Sequence, residues 1–203
     1  MNFDKNLFNE TDAKEFGEFE NLELGGHEIV IVSANEYVSE FSGNTSLKVE
    51  VDIAGNDKQA GFFKKQFENS TNGKWSTGAT RYLSLKNEQI AYLKGFITAL
   101  ENSNPNFKFN VNGNWEQLVG LKLAGVFGLE EYQDQEGKTK TATKLVQFRS
   151  LDKLNEIKIP RVKKLDGTFV DYEIYINHKA TATAEEIFGA SIVETDVPNS
   201  LEL

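Results

Sequence analysis

Three places in this 203-residue chain set aromatic rings beside lysine or arginine. The first is Phe62-Phe63-Lys64-Lys65-Gln66-Phe67 and the second is Lys74-Trp75 followed by Arg81-Tyr82. The third is a run that holds Lys122, Tyr132, Lys138, Lys140, Lys144, Phe148 and Arg149. A ring next to a cation is the chemistry that holds a single-stranded nucleic acid. Bases stack on the ring, each contributing roughly 1–3 kcal/mol, while phosphates meet the cation. Each neutralised phosphate also gives the affinity a dependence of about 0.7 log unit per log unit of salt. In extended chain Phe63, Lys65 and Phe67 would share one side, a ring-lysine-ring face. The same rings could instead be core, with the lysines at a solvated edge. Trp75 stands in a Gly/Ser/Thr-rich stretch, where packing explains a large ring less readily than stacking does. Lys138, Lys140 and Lys144 fall at even spacing, so an extended strand would align them as a phosphate track or as a solvated hairpin tip. Trp115, just before an apolar run, reads as core.

The charge pattern favours the same chemistry. The formal net charge of −9 comes from the ends: residues 1–40 carry ten acids against Lys5 and Lys14, and residues 180–203 carry five acids and no base. Residues 41–179 hold 20 bases against 16 acids, and residues 138–164 hold nine bases against Asp152 and Glu156. A basic middle with acidic ends is compatible with nucleic acid, whereas the total alone would argue against it. Arg161, Lys163 and Lys164 either lengthen the track or serve as soluble surface.

Catalytic constellations are not expected. The absence of Cys removes a thiol nucleophile, a Cys-bound metal and a disulfide framework. His27 and His178 are far apart and lack metal-ligand spacing, so each reads as an ordinary strand or surface histidine. Gly137-Lys138-Thr139 copies the end of a phosphate-cradling loop, but Tyr132 stands where that motif needs Gly. Glu130, Glu131 and Asp134 have no converging partners, and no cofactor or metal is expected. Residues 1–40 contain neither a basic leader nor an apolar run of roughly 7–15 residues, so no signal peptide is expected. No apolar run approaches the ~20 residues of a membrane span. A cytoplasmic protein is expected.

These side chains need strands to carry them. Residues 28–38 are β-branched after Gly25-Gly26, and Leu47, Val49, Val51 and Ile53 alternate cleanly, which predicts a hairpin. Residues 60–67 are a third strand candidate, followed by a polar insert at 69–80. Ile90, Leu93, Ile97 and Leu100 predict a helix over 86–101, with Ser84 near its start and Asn104-Pro105 as its stop. Residues 118–132 and 142–150 read as a second hairpin around Gly137, and residues 157–162 and 168–176 as a last extended pair. The order strand, strand, strand, helix, strand, strand is that of the OB-fold, a five-stranded Greek-key barrel. The expected fold is therefore mainly β with one helix, an OB-like barrel over 26–176 with extra strands. An acidic arm at 1–25, with Phe3, Phe8, Phe16 and Phe19 packed on the domain, and an acidic tail at 177–203 flank it. A β-sandwich with one helix is the rival architecture.

Residues 118–132, Glu136-Gly137-Lys138, Leu145-Val-Gln-Phe-Arg-Ser150 and Lys158-Ile-Pro-Arg-Val-Lys-Lys-Leu-Asp-Gly167 resemble a family of phage proteins. That family comes from replication and recombination modules of phages that infect Gram-positive bacteria. Met1-Asn-Phe-Asp4 and the stretch from Tyr82-Leu-Ser-Leu-Lys86 to Leu93-Lys-Gly-Phe96 fit it as well. The resemblance implies a single-stranded-DNA-binding protein with an OB-type core, working beside a recombinase, helicase or polymerase. The end of the chain, with Glu194, Asp196, Leu201 and Leu203, is similar to the acidic tails through which bacterial single-strand-binding proteins recruit partners, although it lacks their terminal Pro-Phe. It could equally screen the basic groove, or be an inert solubilising tail. A homo-oligomer is compatible with all of this. The alternative expectation is an acidic protein-interaction module, a phage scaffold or host-factor inhibitor that does not bind nucleic acid. An RNA-binding OB protein is a third.

Overall fold

Ile29 and Ile31 alternate with polar neighbours along β1 (Gly25–Val38), the strand around which the sheet is assembled in this computed structural model, which describes residues 21–188. β1 pairs antiparallel with β2 (Thr45–Ile53) over nearly its whole length and, through residues 25–30, with β4 (Lys122–Gln133). β2 pairs with β3 (Thr80–Ser84), and β4 with β5 (Thr139–Arg149). Two short strands, β6 (Val162–Lys163) and β7 (Phe169–Val170), add to the edge of β4 beyond the start of β1. Because β6 lies parallel to β4 and the other pairs are antiparallel, the seven-stranded sheet is mixed. It is also open, since no hydrogen-bonded ladder joins β3 to β5 among the described residues. The protein is mainly β, with a few helices.

Alternation breaks once in β1. Ile31 pairs with Val51 and Ser33 with Glu50, so Val32 is an extra residue that bulges out. Burial shifts with it: Ile29 and Ile31 face the core, Val32 faces solvent, and Ala34 is the next buried position. A bulge kinks the strand and increases local twist, which curls β3 and β5 toward each other. They meet through the 3-10 turn Thr77–Ala79 that leads into β3. A Cβ added to Gly78 would lie 2.7 Å from the Thr143 carbonyl oxygen, so only glycine allows this approach.

The concave side of the sheet carries Leu47, Val49, Val51, Leu123, Phe127 and Leu145, all fully buried or nearly so. Helix α2 (Ile90–Ser103), which follows the short helix α1 (Phe62–Glu68) in the chain, covers one end of it with Leu93, Phe96 and Leu100. Full burial of such side chains contributes about 1.5–3 kcal/mol each. The helix agrees with the spacing seen in sequence, preceded by a short 3-10 turn at Asn87–Gln89. Ser84 accepts a hydrogen bond from the Lys86 amide at 3.2 Å, and Asn104 ends the helix by donating to the Leu100 carbonyl at 2.8 Å.

Two expectations are corrected. Residues 60–67 are not the third strand: Phe62–Glu68 form helix α1, and β3 occupies that place in the sheet. The cause is Asp52, buried on β2, whose Oδ1 accepts from the amides of Ile53, Phe63 and Lys64 at 2.9, 3.0 and 3.4 Å. It satisfies amides that a helix start leaves open, and Gly61 at φ +72° turns the chain into position. The last extended pair is also shorter than expected. Only Val162 of the first segment and Phe169–Val170 of the second are strand, and Tyr172–Phe188 form helix α3. Asp171 and Glu173 are helix-start signals that the β-branched Ile174 and Ile176 had outweighed. His27 takes the strand placement, one of the two expected for it, and is buried on β1 with its Nδ1 3.0 Å from Asp57 Oδ2 and its Nε2 3.0 Å from the Glu23 carbonyl oxygen. Phe3, Phe8, Phe16 and Phe19 of the arm lie outside the described residues.

Helix α3 is tied to β4 by Tyr175, whose hydroxyl donates to Glu131 Oε1 at 2.9 Å. Burial and the Glu131 carboxylate push the Tyr175 pKa up to about 12. A raised folded pKa means that this contribution is complete below the unfolded value of about 10 and is lost as the pH climbs toward 12. Tyr175→Phe should therefore flatten the alkaline fall in stability over that window, measured by urea denaturation at stepped pH; an unchanged profile would mean that the bond adds nothing. At the seam, Gly78→Ala should lower stability by about 1–3 kcal/mol through overpacking, read as a lower urea midpoint. An unchanged midpoint would show that the turn moves off β5 without cost.

Candidate nucleic-acid interface

The convex side of β1, β2 and β3 is where rings and cations meet. Residues paired directly across strands point to one side of the sheet, and the register sets Asn35, Lys48 and Tyr82 in one row, with Tyr37, Ser46 and Ser84 in the next. The Tyr37 and Tyr82 rings touch, with centroids 5.1 Å apart, and both are exposed. Beyond them the β1–β2 loop is closed by Ser39 N to Asn44 O at 3.0 Å and Gly43 N to Ser39 O at 2.7 Å. This hydrogen-bonded loop presents Phe41 wholly to solvent, beside the exposed Val38.

On the other side of Tyr82 a groove of about 590 Å³ runs between Phe67, Lys74, Trp75, Thr77 and Lys48. Trp75 is half-buried there. Its indole N–H donates to the Val51 carbonyl at 3.1 Å and its ring lies 5.5 Å from Phe67. One edge of Trp75 is thus anchored by packing, while the residue also lines an open groove. The Lys74 ammonium has no partner among the described residues, whereas Lys48 pairs with Glu50 at 2.5 Å.

Tyr82 also borders a second, larger cleft of about 880 Å³ at the seam between β3 and β5, floored by α2. Arg81, Tyr92, Phe148, Arg149 and Lys153 line it. Arg81 and Arg149, remote in sequence, are brought together here. Tyr37, Phe41, Lys48, Tyr92 and Lys153 were not singled out from the sequence. None of these carries a clear signal: Tyr92 stands one turn before the buried Phe96, on the same side of the helix by spacing, and only the structure shows it exposed.

Several expected contacts are reassigned. Phe63 is 3% exposed and stacks on Phe127 at 5.7 Å, so it is core and offers no face to a base. Lys65 sits exposed on α1, where it no longer alternates with Phe63 and Phe67 on a strand. Phe148 packs on Phe96 at 4.6 Å beneath the cleft. Lys122 pairs with Glu28 at 2.8 Å, away from the rings.

The β4–β5 hairpin does not present three free ammonium groups. Lys138 pairs with Glu136 and Lys140 with Asp134, each at 2.8 Å. The Lys140 ammonium, helped by the Lys138 amide, holds the Asp134 carboxyl below its usual range. Tyr132 lies opposite Lys140 in register. With Glu130 and Glu131 included, residues 130–140 carry four acids against two bases, so no positive field gathers there. Lys144 does something else: its Nζ donates to Thr77 Oγ1 at 2.8 Å and so bridges β5 to the turn before β3. Burial lowers its pKa, with Glu130 acting in the opposite direction.

The tail residues Glu194, Asp196, Leu201 and Leu203 lie outside the described residues. No group of three or more His, Cys, Asp or Glu side chains among the described residues could hold a metal ion, and no described helix is long and apolar enough to cross a membrane. No protein-family model matches the chain, and no curated protein shows significant similarity to it. The class defined at this point is a mainly β protein with a mixed open sheet and an aromatic, cation-bordered convex face.

If the hairpin tip lies outside the interface, Lys138→Ala and Lys140→Ala should each change the affinity for single-stranded oligonucleotide by less than about twofold, as expected for exposed pairs of small net energy. Fluorescence anisotropy would read this, and a tenfold loss from either variant would return the hairpin to the interface.

Proposed function

We propose that this protein binds single-stranded DNA without sequence preference, through an OB-like core, in phage-type replication or recombination. The observation that carries the reading is the run of exposed rings, Phe41, Tyr37 and Tyr82, leading to Trp75 across a sheet face bordered by Lys74, with Lys48 held by Glu50 beside it. Rings with open π-faces accept any base, and flanking cations meet any phosphate, so the chemistry is indifferent to sequence. The architecture supports the same reading. β1 is shared between β2 and β4, and a helix lies between β3 and β4. The five-stranded Greek-key barrel of the OB-fold is often only partly closed, and it binds oligonucleotides on this face and with its β1–β2 loop.

The bound strand would be protected and passed to a recombinase, helicase or polymerase, with Glu194, Asp196, Leu201 and Leu203 as the partner contact. The matched lysines of the β4–β5 hairpin favour the rival, an acidic interaction module that does not bind nucleic acid.

Anisotropy titration of labelled oligo-dT at two salt concentrations, with duplex DNA as competitor, separates the two. Salt-sensitive binding that duplex fails to displace is expected. Tyr37→Ala and Tyr82→Ala should each weaken it about tenfold, the loss of one stacked base at roughly 1–3 kcal/mol. No binding at low salt would leave the interaction-module reading in its place.

A further inference from the structure

The cleft at the β3–β5 seam has a composition that the stacking face does not explain. Three cationic side chains, Arg81, Arg149 and Lys153, line it, and no carboxylate does. The Arg81 guanidinium has no hydrogen-bond or ion-pair partner among the described residues. Arg149 donates to its near neighbour Gln147 at 3.1 Å, and Lys153 reaches Glu156 at 3.5 Å, a pair exposed on both sides. Arg81 and Arg149 therefore border one opening that no carboxylate lines, and an anion is the ligand class that suits such a site. A guanidinium fork matches the oxygens of a phosphate. Across the cleft from β3, Tyr92 stands on α2 with 76% of its surface exposed. The site thus pairs cations with an uncovered ring.

We infer that this cleft is a second contact surface for the same strand. A nucleotide unit that crosses Tyr82 leaves the convex face and enters the seam. Its phosphate meets Arg81 and Arg149, and its base stacks on Tyr92. Tyr82 lines both the groove and the cleft, so the two surfaces meet at that residue. The cleft, at about 880 Å³, is the size of a small-molecule pocket and takes about one or two nucleotides. The inference rests on the single-strand reading above. It adds that the open seam is part of the binding path and that β3 is gripped from both sides.

The test compares wild type with Arg81→Gln/Arg149→Gln and with Tyr37→Ala, titrated against labelled oligo-dT over a range of salt, after thermal melts show that each variant is folded. The double variant should lose at least tenfold in affinity, and its log-log salt slope should shrink by about 1.4, two contacts at roughly 0.7 each. A second measurement places a reporter in the cleft: Tyr92→Trp should show fluorescence quenching that saturates with the anisotropy signal. If Tyr37→Ala weakens binding while the double variant keeps both affinity and slope, the strand stays on the convex face and the cleft inference fails alone. Binding without quenching of the reporter would likewise overturn the base contact. If wild type does not bind oligo-dT, the single-strand reading fails and the cleft inference goes with it.

Discussion

One extra residue in β1 organises the rest of the molecule. Val32 has no partner on β2, so the strand changes phase between Ile31 and Ser33 and the sheet curls there. Before the bulge, β1 is shared by β2 and β4, and the Ile31 amide and carbonyl bond to Leu121 and Gly120 at 3.0 and 2.8 Å. After it, β1 runs on with β2 alone and carries Tyr37 onto the convex face. The same curvature brings β3 back to β5, where Gly78 and the Lys144–Thr77 bond hold the edges close without a ladder. The ring face, the groove at Trp75 and the seam cleft all depend on that curl. In a flat sheet Arg81 and Arg149 would stand on opposite edges.

Electrostatics in space differ from electrostatics along the chain. The basic run at residues 138–164 looked like the phosphate track, yet its first lysines are matched by acids of their own hairpin. The cations of the seam that are left without anions come from β3 and the end of β5. Exposed ion pairs contribute little to stability, but they decide where potential accumulates. A short-range pairing of Lys140 with Asp134 cancels a charge that a count over the segment includes.

The same contrast holds for the rings. Phe is abundant, and the sequence pattern of residues 62–67 suits a strand with Phe63 and Phe67 on one side as well as a helix with them four apart. Asp52 decides between these, from a different element, by accepting hydrogen bonds at the helix start. Phe63 then turns inward onto Phe127, while Phe67 reaches Trp75. Phe41 has no burial option in a tight loop, and Tyr82 is exposed because its neighbours in register, Lys48 and Asn35, mark the solvent side.

Much of the fold was legible in the sequence because it rests on local periodicity. The alternation of Leu47, Val49, Val51 and Ile53, the spacing of Leu93 and Leu100, and the turn at Gly137 each act within one element. They determined two hairpins, a helix between them and a mainly β core. Trp75, Arg81 and Arg149 were legible as candidate contacts from residue type alone. Tertiary structure decided the rest, since it depends on pairs of residues far apart in the chain. A buried Asp52 converted a strand candidate into helix α1, a bulge at Val32 curled the sheet, and the resulting seam gathered Arg81, Tyr92 and Arg149 around one cleft. Sequence spacing reports which face of its own element a side chain occupies. Only the register and curvature of the assembled sheet determine what that face meets.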